Sequence, residues 1–302
     1  MPAVKNLTAQ TTYRQLTGKE IPAIGLGVWQ SSQDVTAQTV YDALNIGYRH
    51  IDSAQAYHNE KEVGEGIVRW LKEDPAARKR SDVFYTTKVF RHGYEHALAS
   101  LKESFEKIKE LEYIDLVLVH NGRSNKKLRL ETYAALQEYV DKGIVKSIGV
   151  SNWGISALTE LLAWDGLKHR PTVDQIELHP FLVRQELTDF LNKEGIVIEA
   201  YSPLTRGVKL DDATLVRIGK RHNKTSAQVL IRWSLERGYV SLPKSTNPAR
   251  LRENFDVYDF ELTEEEFEEL TKLDENWLIN TVFGDQIYWE DISDEEYFAK
   301  FT

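Results

Sequence analysis

Eight short β-branched or apolar runs, separated by longer segments of helical period, constrain this chain more than any other feature. The runs are IGLGVW (24–29), RHIDSA (49–54), VFYTTK (83–88), IDLVLVH (114–120), VKSIGVS (145–151), VDQIEL (173–178), VIEAYS (197–202) and YVSLPK (239–244). Between them lie stretches such as EHALASLKESFEKIK and LRLETYAALQEYVDKG, whose apolar residues recur at three and four positions. Each pair reads as a βα unit, and continuous apolar strands imply burial on both faces. Eight such units predict an α/β fold, a closed parallel (β/α)8 barrel of the TIM type with an outer ring of helices. An open, doubly wound sheet is the competing architecture. It is disfavoured because no strand is followed at once by a Gly-x-Gly-x-x-Gly turn; Gly64-Glu65-Gly66 sits inside a helical pattern.

A chain of 302 residues suits one barrel domain spanning 1–302, since such barrels use about 250 residues. TTYRQL and KEIPAI flank Thr17-Gly18, which predicts an N-terminal hairpin over 1–23 that closes the barrel floor. Residues 276–302 carry Trp277, Phe283, Tyr288, Trp289, Tyr297 and Phe301 among acids, too aromatic a tail to float freely.

Charge removes whole classes of function. Lys plus Arg number 38 and Asp plus Glu 47, giving −9, with acids concentrated late in the chain. DNA or an acidic membrane would be repelled over most of that surface. The absence of cysteine excludes disulfides, thiolate metal sites and a Cys nucleophile. The opening MPAVKNLTAQTTYRQL lacks the order of a signal peptide and no apolar run approaches 18 residues, so the expected location is the cytoplasm. His50, His58 and His179 lack the close helical spacing of zinc hydrolases, and no metal is expected.

In such a barrel, chemistry gathers where strands end and loops converge. Strand two ends near Asp52 with Tyr57 in its loop, strand three at Lys88 and strand four at His120. Buried Asp and Lys at strand ends are costly unless they pair. If Asp52 pairs with Lys88 and Lys88 lies beside the Tyr57 hydroxyl, the cation would pull the phenol down from about 10 and make it a general acid. A neutral His120 would then hold a carbonyl oxygen beside that hydroxyl. The pattern predicts a site that protonates an oxygen while its carbon is attacked.

GYRHIDSAQAYHNEKEVGEGI, TTKV, DLVLVH, GVSNW, DQIELHP, AYSPL and LPKSTNPARLREN, in this order along nearly the whole chain, resemble the aldo-keto reductases. The resemblance implies a catalytic tetrad of Asp52, Tyr57, Lys88 and His120, and an extended NADPH across the barrel mouth. It implies that Ser151, Asn152 and Gln175 hold the nicotinamide carboxamide and that Tyr201 stacks on the ring. Gly27, Val28 and Trp29 would line the nicotinamide ribose and the substrate side, while Ser202 and Leu204 would touch the pyrophosphate. Lys244, Ser245, Thr246, Asn247 and Arg250 suit the 2′-phosphate of NADP, with a helix opened by Asn247-Pro248, and Glu253 and Asn254 would face the adenine. The implied activity is NADPH-dependent reduction of aldehydes or ketones to alcohols by a monomer or weak dimer.

Three positions depart from the family pattern. His120 is followed by Asn121-Gly122-Arg123 where relatives often carry Trp-Pro, helical period resumes near Leu130, and Val28 stands where a hydroxyl residue is common. These predict an entrance wider and more polar than in aldose reductases, walled by Trp29, Asn121 and a lid containing Trp277 or Phe283. Two other functions compete: an NADPH sensor or scaffold with little turnover, and a Schiff-base aldolase with Lys88 as nucleophile. The acidic run LTEEEFEELTKL is expected to be a solvated helix N-terminus without chemistry.

Overall fold

The computed structural model describes residues 3–279, 285, 287, 288 and 290–301. Its main sheet contains eight parallel strands: β3 (Leu26–Gly27), β4 (His50–Asp52), β5 (Phe84–Val89), β6 (Ile114–Val119), β7 (Val145–Ser151), β8 (Val173–Glu177), β9 (Val197–Tyr201) and β10 (Val240–Leu242). They run in sequence order round the sheet. The first and last strands meet, because Gly25 N donates to Ser241 O at 2.9 Å and Gly27 N to Pro243 O at 3.0 Å. Each observed strand falls within one residue of an expected run, and the barrel is closed. Gly25 belongs to this closure: a Cβ there would stand 2.7 Å from the Leu242 side chain and 2.8 Å from His50 Nδ1.

Helices form the outer ring for the reason their periodicity implies. In α3 (Tyr94–Lys107) the buried positions are Ala97, Ser100, Leu101 and Ser104, a stripe of three- and four-residue steps turned toward the barrel. α1 (Gln33–Ile46) and α2 (Glu60–Glu73) precede it. Gly66 lies within α2, where a Cβ would stand 2.6 Å from Ala37 O, so this glycine lets α1 and α2 approach. α4 (Lys126–Asp141) begins four residues before the expected start near Leu130. Asn125 caps it by accepting from Leu128 N at 3.0 Å, while exposed Lys126 and Lys127 obscure the apolar period in its first turn.

α5 (Ile155–Leu162) and α6 (Gln185–Glu194) follow β7 and β8; α7 (Ala213–His222) and α8 (Ser226–Glu236) both follow β9. α9 (Pro248–Phe255), the acidic α10 (Glu264–Thr271) and α11 (Asp294–Phe301) complete the helices named here. Thr263 caps α10 in a capping box with Glu266, and the carboxylates of its first turn complement the helix dipole.

The hairpin of β1 (Thr12–Arg14) and β2 (Glu20–Pro22) seals the end of the barrel where the strands begin. Its fully buried Ile21 packs with Phe84, Leu116, Val173 and Val240 inside the barrel, a burial that stabilises by roughly 1.5–3 kcal/mol. The opposite end stays open. Among the described residues, no helix is long and apolar enough to cross a membrane.

Candidate active site

Asp52 ends β4 and Lys88 lies one residue from the end of β5, so adjacent strands bring their side chains together. Lys88 Nζ donates to both carboxylate oxygens of Asp52 and to Ser53 O, each at 2.8 Å. A 3-10 turn, Gln55–Tyr57, swings Tyr57 back over them, its hydroxyl 3.4 Å from Lys88 Nζ. His120 follows β6 and its ring meets that of Tyr57 nearly edge-on, with centroids 5.6 Å apart at 78°. The four side chains thus converge at one point on the barrel mouth.

Electrostatics assigns protonation states to Lys88, His120 and Tyr57. Burial alone would depress Lys88, yet Asp52, Tyr57 and Glu199 overcome it and hold the amine above its ordinary value. Burial, then the charge of Lys88, lowers His120 to about 3, so its imidazole is neutral. Tyr57 differs from expectation. Burial raises its phenol by more than Lys88 lowers it, and the group stands above 10, not below. The reason is the depth of the hydroxyl together with the carboxylate of Asp52, which offsets part of the ammonium's influence.

Beneath this group lies a second polar layer. Gln175 Nε2 donates to Asp52 Oδ1 at 2.8 Å and to Glu199 Oε2 at 2.7 Å, which occupies both its hydrogens and leaves Oε1 to accept. Glu199 is fully buried, and burial followed by the Asp52 charge raises it to about 8. His50 Nε2 lies 3.7 Å from Glu199 Oε1 and 3.0 Å from Thr86 Oγ1. His50 is therefore an interior group, His179 is buried against Glu177 at 3.1 Å, and His58 is exposed near the mouth, so the three do not form one site.

A cavity of about 920 Å3 opens over the tetrad and runs toward α9. Of the residues singled out in the sequence, Asp52, Tyr57, His120, Gly27, Trp29, Asn121, Ser151, Asn152, Gln175, Tyr201, Ser202, Leu204, Lys244, Ser245, Thr246, Asn247, Arg250, Glu253 and Asn254 all line it. Ser151, Asn152 and Tyr201 form one chain: Tyr201 Oη donates to Asn152 Oδ1 at 2.8 Å, and Asn152 Nδ2 donates to Ser151 Oγ at 3.0 Å and to His120 O at 3.2 Å. Asn152 and Ser202 each leave their strand with positive φ, 59° and 52°, which turns the chain sharply at the mouth. Ser151 and Asn152 do not cap α5, whose preceding residue is Gly154.

Three expectations need correction. Val28 is fully buried and does not line the cavity; its backbone is engaged with Asp52 O and the Asn59 side chain. Trp277 is not among the residues that line the cavity: its backbone N–H donates to Phe181 O at 2.9 Å and its ring packs 5.7 Å from His179. Phe283 lies outside the described residues. At α9, Asn247 Oδ1 already accepts from Ala249 N and Arg250 N, so those first-turn amides are taken up by the cap.

A model of the aldo/keto reductase family matches residues 23–275. The chain belongs to that family. It is 46% identical over 256 residues to an uncharacterized oxidoreductase of Saccharomyces cerevisiae, covering 84% of this chain and 91% of that protein. It is 43% identical over 262 residues to the 9,11-endoperoxide prostaglandin H2 reductase of Trypanosoma cruzi, covering 85% and 89%. Among solved structures, an aldo/keto reductase from Brucella melitensis matches at 41% identity with a TM-score of 0.81, covering 88% of this chain and all of that one. A Bombyx mori aldo-keto reductase in complex with NADP matches at 30% identity and TM-score 0.83, covering 93% and 99%.

In this aldo/keto reductase several lining residues carried no sequence signal. Arg206 and Leu210 sit in the non-periodic loop after β9, and only folding shows Arg206 standing 4.4 Å over the Trp29 ring across the trough. Phe90 was accessible to reading, since it follows the strand-end Lys88-Val89, and its ring stands 5.7 Å from His120. Arg123 also faces the cavity.

The tail docks across the mouth loops. Arg184 and Asp285 pair through two contacts at 2.9 and 2.7 Å, Asn125 Nδ2 donates to Ile292 O at 2.9 Å, and Arg129 Nη1 meets Asp291 at 2.7 Å. Fully buried His92 joins the loops after β5 and β6 to α11: its backbone N–H donates to the Tyr297 hydroxyl at 2.8 Å, and its Nε2 lies 2.8 Å from Asn121 O. The described part of the tail therefore braces the wall that carries Asn121.

Proposed function

We propose that this protein is an NADPH-dependent carbonyl reductase that converts aldehydes or ketones to alcohols, working as a single barrel domain with Tyr57 as the proton donor. The observation that carries this reading is the Lys88 ammonium, held by three acceptors at 2.8 Å and placed 3.4 Å from the Tyr57 hydroxyl.

The cavity suits an extended dinucleotide. It is long enough to run from the tetrad to α9, and it ends in Lys244 and Arg250 beside Ser245 and Thr246, a set that matches a ribose 2′-phosphate. At the other end a carboxamide would find Gln175 Oε1 as an acceptor for its N–H, with Ser151 and Asn152 alongside. When bound, the nicotinamide supplies the hydride.

The protein's own groups manage the proton. A carbonyl oxygen lodged between the Tyr57 hydroxyl and the neutral His120 ring would receive hydrogen bonds from both. Because Tyr57 is raised, it stays a phenol at working pH and holds the proton until negative charge builds on that oxygen. Transfer leaves a phenolate, and the 3.4 Å contact with Lys88 would tighten as that charge forms. Asp52 keeps the ammonium in place.

The pair also weighs against the aldolase alternative, since a Schiff-base nucleophile must be a free amine and Lys88 is held charged. The sensor alternative has no use for a raised phenol beside a buried ammonium. Following NADPH absorbance with a panel of aldehydes, aldoses and ketones tests the proposal. Turnover supports it, whereas tight NADPH binding without turnover on any carbonyl would favour the sensor, and borohydride trapping of substrate on Lys88 would favour the aldolase.

A further inference from the structure

Asp174 and Glu199 are fully buried carboxyls that contact no lysine or arginine among the described residues. Glu199 pairs in register with Gln175, and its titratable neighbours are His50 and Asp52 on β4, Lys88 on β5 and Asp174 on β8. β10 contributes none. Lys88 directs its 2.8 Å contacts to Asp52 and Ser53. His50 Nε2 stands 3.0 Å from Thr86 Oγ1 and 3.7 Å from Glu199 Oε1, and burial, followed by the charge of Lys88, lowers that ring to about 3. Glu199 Oε2 accepts from Gln175, whereas Oε1 has no hydrogen-bond partner among the described residues. A glutamine would accept the same Gln175 hydrogen without adding a group that titrates, so this contact alone does not account for a carboxyl at such depth.

Glu199 reaches the site through one side chain. Gln175 Nε2 gives one hydrogen to Glu199 Oε2 at 2.7 Å and the other to Asp52 Oδ1 at 2.8 Å, and Gln175 lines the cavity at the end assigned above to the carboxamide. The nicotinamide differs in charge between its redox forms: the dihydropyridine of NADPH is neutral and the pyridinium of NADP+ is a cation. A carboxylate one hydrogen bond behind Gln175 would favour the cation, and in a buried site that attraction is far stronger than in water. A neutral carboxyl would not. By reciprocity, a bound cation makes the Glu199 proton easier to lose. Burial and the Asp52 charge raise Glu199 to about 8, so the carboxyl is neutral below that pH and ionised above it. Through this window His50 and His120, each lowered to about 3, stay neutral, while Lys88 and Tyr57, both raised, keep their protons. Burial also raises Asp174, but its carboxyl oxygens make no hydrogen bond to Gln175.

We propose that Glu199 is a positioning residue that discriminates between the redox forms of the cofactor: as a carboxyl it leaves Gln175 to the neutral reduced nicotinamide, and as a carboxylate it favours the cationic oxidised one. This rests on the reductase reading and adds to it a proton released to solvent when NADP+ binds.

The test measures Kd for NADPH and for NADP+ by tryptophan fluorescence from about pH 6.5 to 9.5, where phosphates common to both cofactors cancel in the ratio. In wild type NADP+ should gain on NADPH by about tenfold as pH rises through the window. Calorimetry in two buffers of different ionisation heat should show a proton released on NADP+ binding near pH 8. Glu199→Gln should flatten the slope and abolish the release. Tyr57→Phe and Asp174→Asn should keep the slope, and its loss in either would assign the titration to that group and overturn the proposal. Should Glu199→Gln fail to fold, Glu199→Asp is read in its place: it keeps the carboxyl but draws it back from Gln175, and its slope should shrink or move in pH, an unchanged slope counting against Glu199. A flat wild-type ratio, or a slope kept in Glu199→Gln, would overturn the proposal while leaving the reductase reading intact. Failure of both cofactors to bind would remove both.

Discussion

Replacing Lys88 by Met would leave Asp52 buried at the mouth with only Gln175 as a side-chain donor. Removing one partner of a buried pair costs about 3–5 kcal/mol, so Lys88→Met should unfold at markedly lower denaturant, and Asp52→Asn in the same chain should recover part of the loss. Single and double variants that unfold alike would show that the pair contributes little. Glu199 gives a prediction in pH. Its carboxyl is raised from 4.5 to about 8 by burial and by Asp52. Between those values the unfolded chain has released this proton and the folded chain still holds it, so stability falls as pH rises through the window and levels above it. Glu199→Gln lacks that loss. Thermal melts should show the variant gaining on wild type from pH 5 to 8, and a constant difference would count against the raised carboxyl. Sequence alone singled out Asp52, Lys88 and His120 because each stands at a strand end, and Tyr57 because it lies in the loop that follows Asp52. It misjudged the direction of Tyr57, since the balance between burial and the Lys88 charge depends on depth, which no spacing records.

At the scale of elements, the turn between β10 and α9 is the place to read cofactor preference. Lys244 and Arg250 are exposed at the cavity end, while the nearby amides of α9 are occupied by Asn247. Hydrogen bonds to charged groups contribute about 1.5–3 kcal/mol each, so neutralising both residues should weaken NADPH at least a hundredfold and NADH far less, as read from Kd for both cofactors. Equal losses would contradict the assignment of the 2′-phosphate to this turn. The C-terminal segment acts on another wall. Since Tyr297 and Asp291 hold His92 and Arg129, and His92 holds Asn121, a chain ending at residue 275 should lose the fixed shape of the 121–125 loop. Its substrate preference across a panel of carbonyls should change; an unchanged ranking would mean that this loop stands without the brace. The early start of α4 escaped a reading by apolar period because two exposed lysines open it, though Asn125 was in view as a cap.

The whole molecule shows why its barrel was legible and its mouth less so. Strand order and closure follow from eight apolar runs that must be covered on both faces, a requirement imposed locally and repeated eight times. The mouth is made by loops without period, and contacts such as Arg206 over Trp29 join residues 177 positions apart, which a linear pattern does not reveal. One global property can be stated. His50, His92 and His120 are each lowered from 6.5 to about 3, burial being the largest cause at every site. Below pH 6.5 the unfolded chain takes up protons at these positions while the folded chain does not, so stability is lost as pH falls from 6.5 toward 3. Replacing buried His92 by Gln should make the acid limb of a stability profile shallower, and a slope identical to wild type would argue against a neutral His92. The central claim is that Tyr57 supplies the proton, and it is tested most directly by turnover of NADPH with an aldehyde in wild type and in Tyr57→Phe, at cofactor concentrations shown to saturate both. The account predicts that the variant binds NADPH as well as wild type and turns over about 100- to 10,000-fold more slowly; turnover within a few-fold of wild type would contradict it.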